Sequence, residues 1–453
     1  MSTKLFGTDG VRGRAGTYPL DHRTVRRLGA ALVKALPPSA SAPRLLVGRD
    51  TRESGLGLER DLALGARSAG ARVLSAGVIP TPAIAFLTRD QGFDAGLVIS
   101  ASHNPFEDNG IKVFSGAGEK FTEKLEAQVE AIVADTSWQE PAGGDESVPF
   151  IDETEAYLAH AKTAMNGLFP AHARKLAIDC ANGATCRIAP LVLERLGFHV
   201  TAIGCSPDGR NINLNCGSTH PQGLAALVVE RGCDLGIAFD GDGDRAIFVD
   251  ASGRLVDGDA VMFLCAKQMQ HTGRLRGNAV VATVMSNIGL EIALRDLGIS
   301  LVRCPVGDKY VMEELLRDNL SIGGEQSGHV IFPDLLFTGD GLVTALNVLR
   351  TMAETGRPLA DLAGELQTFP QVLLNVRVRE KRDWTAIPSV AAAAADVEQR
   401  LAGRGRLLVR YSGTEPLLRV MIEGEHQHQI DTWAAEIVDA VQREIGVQVT
   451  EKR

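Results

Sequence analysis

Three carboxylates alternate with glycines in Asp240-Gly-Asp242-Gly-Asp244, directly after the apolar run Leu235-Gly-Ile-Ala-Phe239 and directly before Arg245. The run predicts a strand ending at Phe239, and the glycines permit a tight turn that points Asp240, Asp242 and Asp244 at one centre. Such a loop suits a divalent cation, with Arg245 adding a fixed positive charge beside it. The plain alternative is a solvated acidic turn. An EF-hand also opens with alternating acids, but it needs Gly at loop position six and Glu at position twelve. This chain has Arg245 and Ala251 there, which disfavours calcium sensing. Three protein carboxylates leave coordination positions open, and that suits Mg²⁺ bound partly through a phosphate oxygen.

A second candidate is Ser102. Ala95-Gly-Leu-Val-Ile-Ser100 predicts a buried strand, followed at once by Ala101-Ser102-His103-Asn104-Pro105. In open α/β sheets ligands gather at the carboxyl ends of strands, so a hydroxyl placed there can reach a substrate. Ser, Asn and Pro also make ordinary turns, and the residues alone leave both readings open. No Gly-x-Ser-x-Gly elbow surrounds Ser102, which argues against a hydrolase triad.

Together, Ala101-Ser-His-Asn-Pro105 and Asp240-Gly-Asp-Gly-Asp-Arg245 resemble the signature segments of the α-D-phosphohexomutase family. Four further segments fit it in order: Phe6-Gly-Thr-Asp-Gly-Val-Arg-Gly13, Gly110-Ile-Lys112, Gly324-Glu325-Gln-Ser327-Gly-His329 and Arg410-Tyr-Ser412-Gly-Thr414-Glu-Pro416. The resemblance therefore spans essentially the whole chain. It implies a mutase that moves a phosphoryl group between O6 and O1 of a hexose through a phosphoserine and a 1,6-bisphosphate. Ser102 would carry the phosphate, and its oxygen would join Asp240, Asp242 and Asp244 around one Mg²⁺. Glucosamine or glucose 1,6-bisphosphate would serve as activator.

The same resemblance brings Lys112 to the reacting oxygens, from the start of a predicted strand, and Arg12 to the site from the Gly-rich opening segment. Arg245 joins them beside the metal. His103 and His329 are the candidates for proton transfer, since imidazole titrates near neutral pH, and His329 is favoured. Glu325 and Ser327 sit between glycines, which let backbone approach a ligand, and by resemblance they meet the sugar's O3 and O4. Arg410, Ser412, Gly413, Thr414 and Arg419 offer a guanidinium fork, hydroxyls and free backbone amides to the phosphate that is not reacting. Within the family, Phe106-Glu-Asp-Asn-Gly-Ile-Lys112 and Gln326 resemble the members acting on glucosamine phosphate, whose product would feed UDP-N-acetylglucosamine synthesis. Phosphomannomutase or phosphoglucomutase activity is the alternative. A non-catalytic phosphosugar-binding protein is a remote one, because Ser102 and all three aspartates are intact.

These residues need elements to hold them. Val25, Leu28, Leu32, Val33 and Leu36 share one helical face, Leu45-Leu-Val47 and Arg72-Val-Leu74 predict strands, and helices are predicted from Leu56 to Ala69 and after Pro82. Strand and helix go on alternating through a helix at 153–165 and strands opening at Leu176 and Val280. After Pro370 the pattern becomes strand, helix, two short strands flanking Ser412, and a helix from Ile430 to Ile445. The expected fold class is α/β: three similar α/β domains with mixed sheets plus a smaller C-terminal α+β domain, which the resemblance arranges around a central cleft. The domains are placed at 1–150 (serine loop), 151–254 (metal loop), 255–369 (sugar recognition) and 370–453 (a phosphate-binding lid).

Composition agrees with this. The chain has 453 residues, 45% hydrophobic and 23% charged, enough for several cores. A formal net charge of -9 disfavours nucleic acid as a partner, and no apolar run approaches the roughly 20 residues of a spanning helix. A small-molecule phosphosugar is the expected partner. Seven cysteines without a Cys-x-x-Cys pair, and an N-terminus lacking a signal peptide's apolar region, predict a cytoplasmic home.

Overall fold

The computed structural model describes residues 4–7, 9–37, 41–139, 147–169, 174–412 and 416–447. The chain divides into two compact units, Met1–Met285 with Ile299–Glu365, and Ser286–Gly298 with Leu366–Arg453.

The larger unit carries three mixed sheets built to one plan. The first has six strands in the order Phe6–Gly7, Gly10–Arg14, Asp108–Ser115, Ala95–Ile99, Arg44–Arg49 and Arg72–Val78. Its last three strands run parallel, and Ala95–Ile99 then folds back antiparallel onto Asp108–Ser115, with Ile99 opposite Ile111. The second sheet is ordered Leu255–Val256, Ala246–Asp250, Leu235–Phe239, Lys175–Asp179 and His199–Ile203. Again the last three are parallel, and Leu235–Phe239 folds back onto Ala246–Asp250 with Phe239 opposite Ala246. In the third, Ser300–Cys304, Ala279–Thr283 and Gly323–Gly324 are parallel, and Gly324 pairs antiparallel with Val330 of Val330–Ile331. Parallel neighbours demand helical crossovers, whereas the antiparallel step needs only a turn. In each sheet one strand thus ends in a hairpin turn, and the three turns are residues 100–107, 240–245 and 325–329.

Hydrophobic spacing sets the supporting helices. Helix His22–Ala35 starts where the Asp21 side chain accepts a hydrogen bond from Thr24 N at 3.0 Å, and it buries Val25, Leu28, Leu32 and Val33. Those side chains join Leu45, Val47, Leu97, Ile99 and Ile111 in the first sheet's core. Leu28 and Leu97 are at most 1% exposed, so truncating either to Ala costs about 2–5 kcal/mol.

One placement differs from expectation. Lys112 stands inside the strand Asp108–Ser115, opposite Val98, rather than at its start. The turn-like Asp108-Asn-Gly110 is recruited into the ladder because its other edge pairs with Arg14, Gly13 and Arg12. Arg12 sits on the strand Gly10–Arg14.

The smaller unit is an antiparallel sheet of Gln371–Arg377, Leu417–Glu423 and Arg406–Tyr411, with Leu417–Glu423 in the middle. Helices Pro388–Leu401 and Gln427–Ile445 supply Val390, Val397, Ile430 and Ile437 to its core, which makes the α+β layer expected from the sequence. Helix Ile288–Asp296 belongs with this unit: Asn287 Nδ2 donates to Phe369 O at 2.9 Å, and Ile288 N to the Glu423 carboxylate at 3.2 Å. Among the described residues, no helix is long and apolar enough to cross a membrane.

Candidate active site

The hairpin turns of the three sheets converge within the larger unit. The acidic turn follows the fully buried strand Leu235–Phe239, and carboxylate oxygens of Asp240, Asp242 and Asp244 lie within 4.8 Å of one another. All three residues are buried. The serine turn meets them directly: Ser102 Oγ donates to Asp240 Oδ2 at 2.5 Å. Ser102 is 1% exposed and has a backbone φ of 53°. A Cβ on Gly241 would stand 2.6 Å from Ser102 O, so only glycine lets the two turns approach this closely.

Lys112 projects from its strand into the triad, with Nζ 2.9 Å from Asp242 Oδ2, 3.1 Å from Asp244 Oδ2 and 3.2 Å from Asp9 Oδ2. Asp242 Oδ2 also accepts from Thr81 Oγ1 at 2.6 Å. The outer oxygens Asp242 Oδ1 and Asp244 Oδ1 are buried and accept no hydrogen bond. Bare buried carboxylate oxygens are costly unless a cation meets them, so the donor set fits a hard divalent metal.

The charges shape one another. Burial, then Asp244 and Asp242, push the Asp240 carboxyl well above its usual range. Burial works the same way on Asp244, but Lys112, His329 and Arg245 outweigh it and hold that carboxyl well below the usual range. Lys112, despite burial, is held well above an ordinary lysine by Asp242, Asp244 and Asp9. The triad thus keeps a permanent internal cation, and a divalent ion would replace the proton tendency on Asp240.

Arg12 donates from Nη1 to Ala101 O at 3.1 Å and pairs with Asp9. His103 brings Nδ1 to 3.4 Å from Ser102 Oγ, and burial followed by Arg245 and Arg12 lowers its pKa to about 4, so it is neutral at pH 7. His329 has Nδ1 3.6 Å from Asp244 Oδ2, while Nε2 faces Gly339 N at 3.1 Å and Asp308 Oδ2 at 3.4 Å. A Cβ on Gly339 would lie 2.4 Å from that Nε2. Burial disfavours the imidazolium, but Asp244, Asp308 and Glu325 more than offset it and raise the His329 pKa.

The third turn offers Glu325, whose Oε1 accepts from Gly307 N at 3.2 Å and whose Oε2 accepts from Ser327 Oγ at 3.3 Å. Arg12, His103, Asp244, Arg245, Glu325 and His329 line a cavity of about 580 Å³, large enough for a hexose phosphate. Gln326 uses its amide on Asp257 Oδ2 at 3.1 Å.

Sequence reasoning missed several members. Asp9 is flanked by Arg12, Lys112 and Lys120, and Lys120 reaches on to Asp308. Asp9 is legible in the opening Phe6–Gly13 segment, whereas Lys120 and Asp308 carry no local signal.

In the smaller unit, Arg410 and Arg419 stand directly opposite on adjacent antiparallel strands. Directly opposed residues of an antiparallel pair share a face, so the two arginines lie side by side on the sheet. Ser412 follows, is 3% exposed, and its carbonyl accepts from Lys381 Nζ at 2.6 Å. Gly413 and Thr414 lie outside the described residues.

The chain matches the phosphoglucomutase/phosphomannomutase family along its length: alpha/beta/alpha domain I over residues 3–140, domain II over 155–253, domain III over 257–369 and the C-terminal domain over 373–440. Its fold is that of the phosphoglucomutase/phosphomannomutase family protein from Burkholderia thailandensis, at TM-score 0.80, 23% identity, and coverage of 99% of this chain and 100% of that one. The Aspergillus fumigatus N-acetylphosphoglucosamine mutase solved with GlcNAc-6P and magnesium aligns at TM-score 0.66 and 18% identity, covering 97% and 95%. The chain belongs to this family and is a phosphosugar mutase, an isomerase. Among its relatives, the phosphoglucosamine mutase of Desulfovibrio desulfuricans is 47% identical, over 98% of this chain and 100% of that protein. That of Cereibacter sphaeroides is 48% identical over 97% and 99%.

Proposed function

We propose that the enzyme interconverts glucosamine 6-phosphate and glucosamine 1-phosphate through a phosphoserine at Ser102 and a 1,6-bisphosphate. One observation carries the reading: Ser102 Oγ points into the carboxylate triad at 2.5 Å from Asp240. Full-length relatives named phosphoglucosamine mutase support the substrate.

Asp240, Asp242 and Asp244 would hold the cation, taken as Mg²⁺, and the phosphorylated serine would offer it an oxygen. When bound, it neutralises charge on the transferring phosphoryl group. Lys112 and Arg12 flank the serine turn and add fixed positive charge where the phosphoryl oxygens gather. His103, neutral and with Nδ1 3.4 Å from Ser102 Oγ, can accept the serine's proton when phosphate leaves the sugar for the serine. His329, the histidine favoured from sequence, stands between Asp244 and Asp308 and orients the Asp244 carboxylate. Glu325 and Ser327 grip sugar hydroxyls from the third turn. Arg410, Ser412, Thr414 and Arg419 grip the phosphate that is not moving, and a sugar 1,6-bisphosphate primes the serine. Gln326 donates its amide to Asp257 and so fixes the turn that carries Glu325 and Ser327.

Intact-mass spectrometry of the purified protein tests the carrier: one added phosphoryl group is expected, mapped by peptide analysis to Ser102. Ser102→Ala should abolish turnover. A Ser102→Ala enzyme with ordinary mutase activity would overturn the mechanism.

A further inference from the structure

Two carbonyl oxygens of the serine turn, those of Ser102 and Asn104, share the same two donors. Arg52 Nη2 donates to them at 2.9 and 2.8 Å. Asn213 Nδ2 donates to them at 2.9 and 3.1 Å. Arg52 is 1% exposed, donates to Asp108 O at 3.0 Å and to Pro105 O, and pairs with Asp50 at 2.8 Å. Asp50 also accepts from Ser100 Oγ at 2.6 Å, and that oxygen accepts from Ser102 N at 2.9 Å.

Arg52 follows the strand Arg44–Arg49, so it ties the turn to the turn's own sheet. Asn213 arrives from the second sheet, on the segment after His199–Ile203, where its N donates to Ala181 O at 2.9 Å. A Cβ on Gly241 would meet Asn213 Nδ2 at 2.8 Å as well as Ser102 O at 2.6 Å. The Asn213 amide therefore lies where the serine turn and the acidic turn touch. Ser102 needs such support, because its left-handed φ of 53° persists only where surroundings over-determine it.

We propose that Asn213 is a positioning residue for phosphoryl transfer, its amide acting with the Arg52 guanidinium to lock the Ser102 carbonyl so that Oγ stays aimed at the acidic turn. The inference rests on Ser102 being the phosphate carrier. Neither donor touches the reacting atoms; both act through the backbone of the serine turn.

Two substitutions isolate the amide. Asn213 has φ 59°, which glycine adopts freely, so Asn213→Gly removes the donor and keeps the backbone. Asn213→Asp keeps the shape and turns an acceptor towards two carbonyls. Full-length enzyme labelled at the serine from ³²P-glucose 1,6-bisphosphate is mixed with glucosamine 6-phosphate in Mg²⁺ buffer and quenched at short times. The single-turnover rate constant is expected to fall roughly tenfold in Asn213→Gly and a hundredfold in Asn213→Asp, with KM and the amplitude per phosphoserine unchanged. Arg52→Lys, which keeps the charge and loses the fork, should fall similarly. A merely structural role would lower the amplitude and leave the rate constant alone; that result, or wild-type rates in both Asn213 variants, overturns the proposal. If Asn213→Asp does not fold, Asn213→Gly decides alone. Ser102→Ala run beside them separates the two readings: turnover there overturns the carrier itself, whereas a dead Ser102→Ala with unaffected Asn213 variants overturns only the positioning role.

Discussion

Asp242→Asn should cripple metal binding by more than the loss of one charge. Asp242 is 1% exposed, and its Oδ2 is fixed by two donors, Lys112 Nζ at 2.9 Å and Thr81 Oγ1 at 2.6 Å. An ammonium offers no acceptor, so the amide oxygen of asparagine must face Lys112 and its NH₂ must take the place of Oδ1. Oδ1 is the buried oxygen that accepts no hydrogen bond. The substitution therefore puts N–H donors where the cation needs a lone pair. Two unit charges 4 Å apart contribute about 4 kcal/mol at an effective dielectric of 20, so the lost charge alone weakens binding by about three decades. Calorimetric titration of Mg²⁺ into metal-stripped protein reads this directly, with circular dichroism to confirm the fold. Turnover should drop by orders of magnitude in parallel. An Asp242→Asn protein that binds Mg²⁺ within threefold of wild type would remove the triad from the metal site.

Arg410→Ala should weaken glucosamine 6-phosphate and glucosamine 1-phosphate by similar factors, about one to two decades, because one charged hydrogen-bond donor contributes about 1.5–3 kcal/mol; kinetics in both directions check it, and a one-sided effect refutes a shared phosphate grip. On kcat/KM, glucosamine 6-phosphate should exceed mannose 6-phosphate and glucose 6-phosphate in a side-by-side panel, and equal turnover of mannose 6-phosphate would shift the assignment. The His103 C2–H resonance should stay at its neutral position from pH 8 down to about 5, since its pKa lies at about 4. With the folded value below the unfolded 6.5, stability falls as pH drops from about 6.5 towards 4, and His103→Gln should flatten that slope in urea titrations. Asp9 and Asp244 are held well below the usual carboxylate range, where burial is outweighed by cations that include Lys112. Their contribution is present above about pH 4 and lost below it, so Lys112→Met should move acid unfolding to higher pH.

The serine and acidic turns were legible because each follows five buried apolar residues and opens with polar or glycine residues that cannot continue a strand. The helix faces were equally plain, as Val25, Leu28, Leu32 and Val33 show. Lys112 was misplaced within its strand because Asp108-Asn-Gly110 reads locally as a turn, and only pairing with Arg12–Arg14, distant in sequence, makes it a ladder. Asp308, Lys120, Arg52, Thr81 and Asn213 escaped for the same reason. Thr81 finds Asp242 across 161 residues and Asn213 finds Ser102 across 111, and no local pattern encodes such contacts. The repeated sheet plan was visible in sequence only as an order of elements. Its common hairpin became apparent through strand pairing.

That hairpin makes the active site modular. Each functional turn is bracketed by two strands in fixed antiparallel register, as with Phe239 opposite Ala246 and Gly324 opposite Val330. Directly opposed residues hold their Cα atoms roughly 4.5–5.5 Å apart whatever lies between them, so the ends of a turn stay put while its contents change. A lineage can therefore vary residues 325–327 between fixed ends, whereas Gly328, packed on Ala246, and His329, beside Asp244, tie the rest of the turn to the acidic one. An engineer can do the same, exchanging residues 325–327 between mutases while keeping Gly328 and His329.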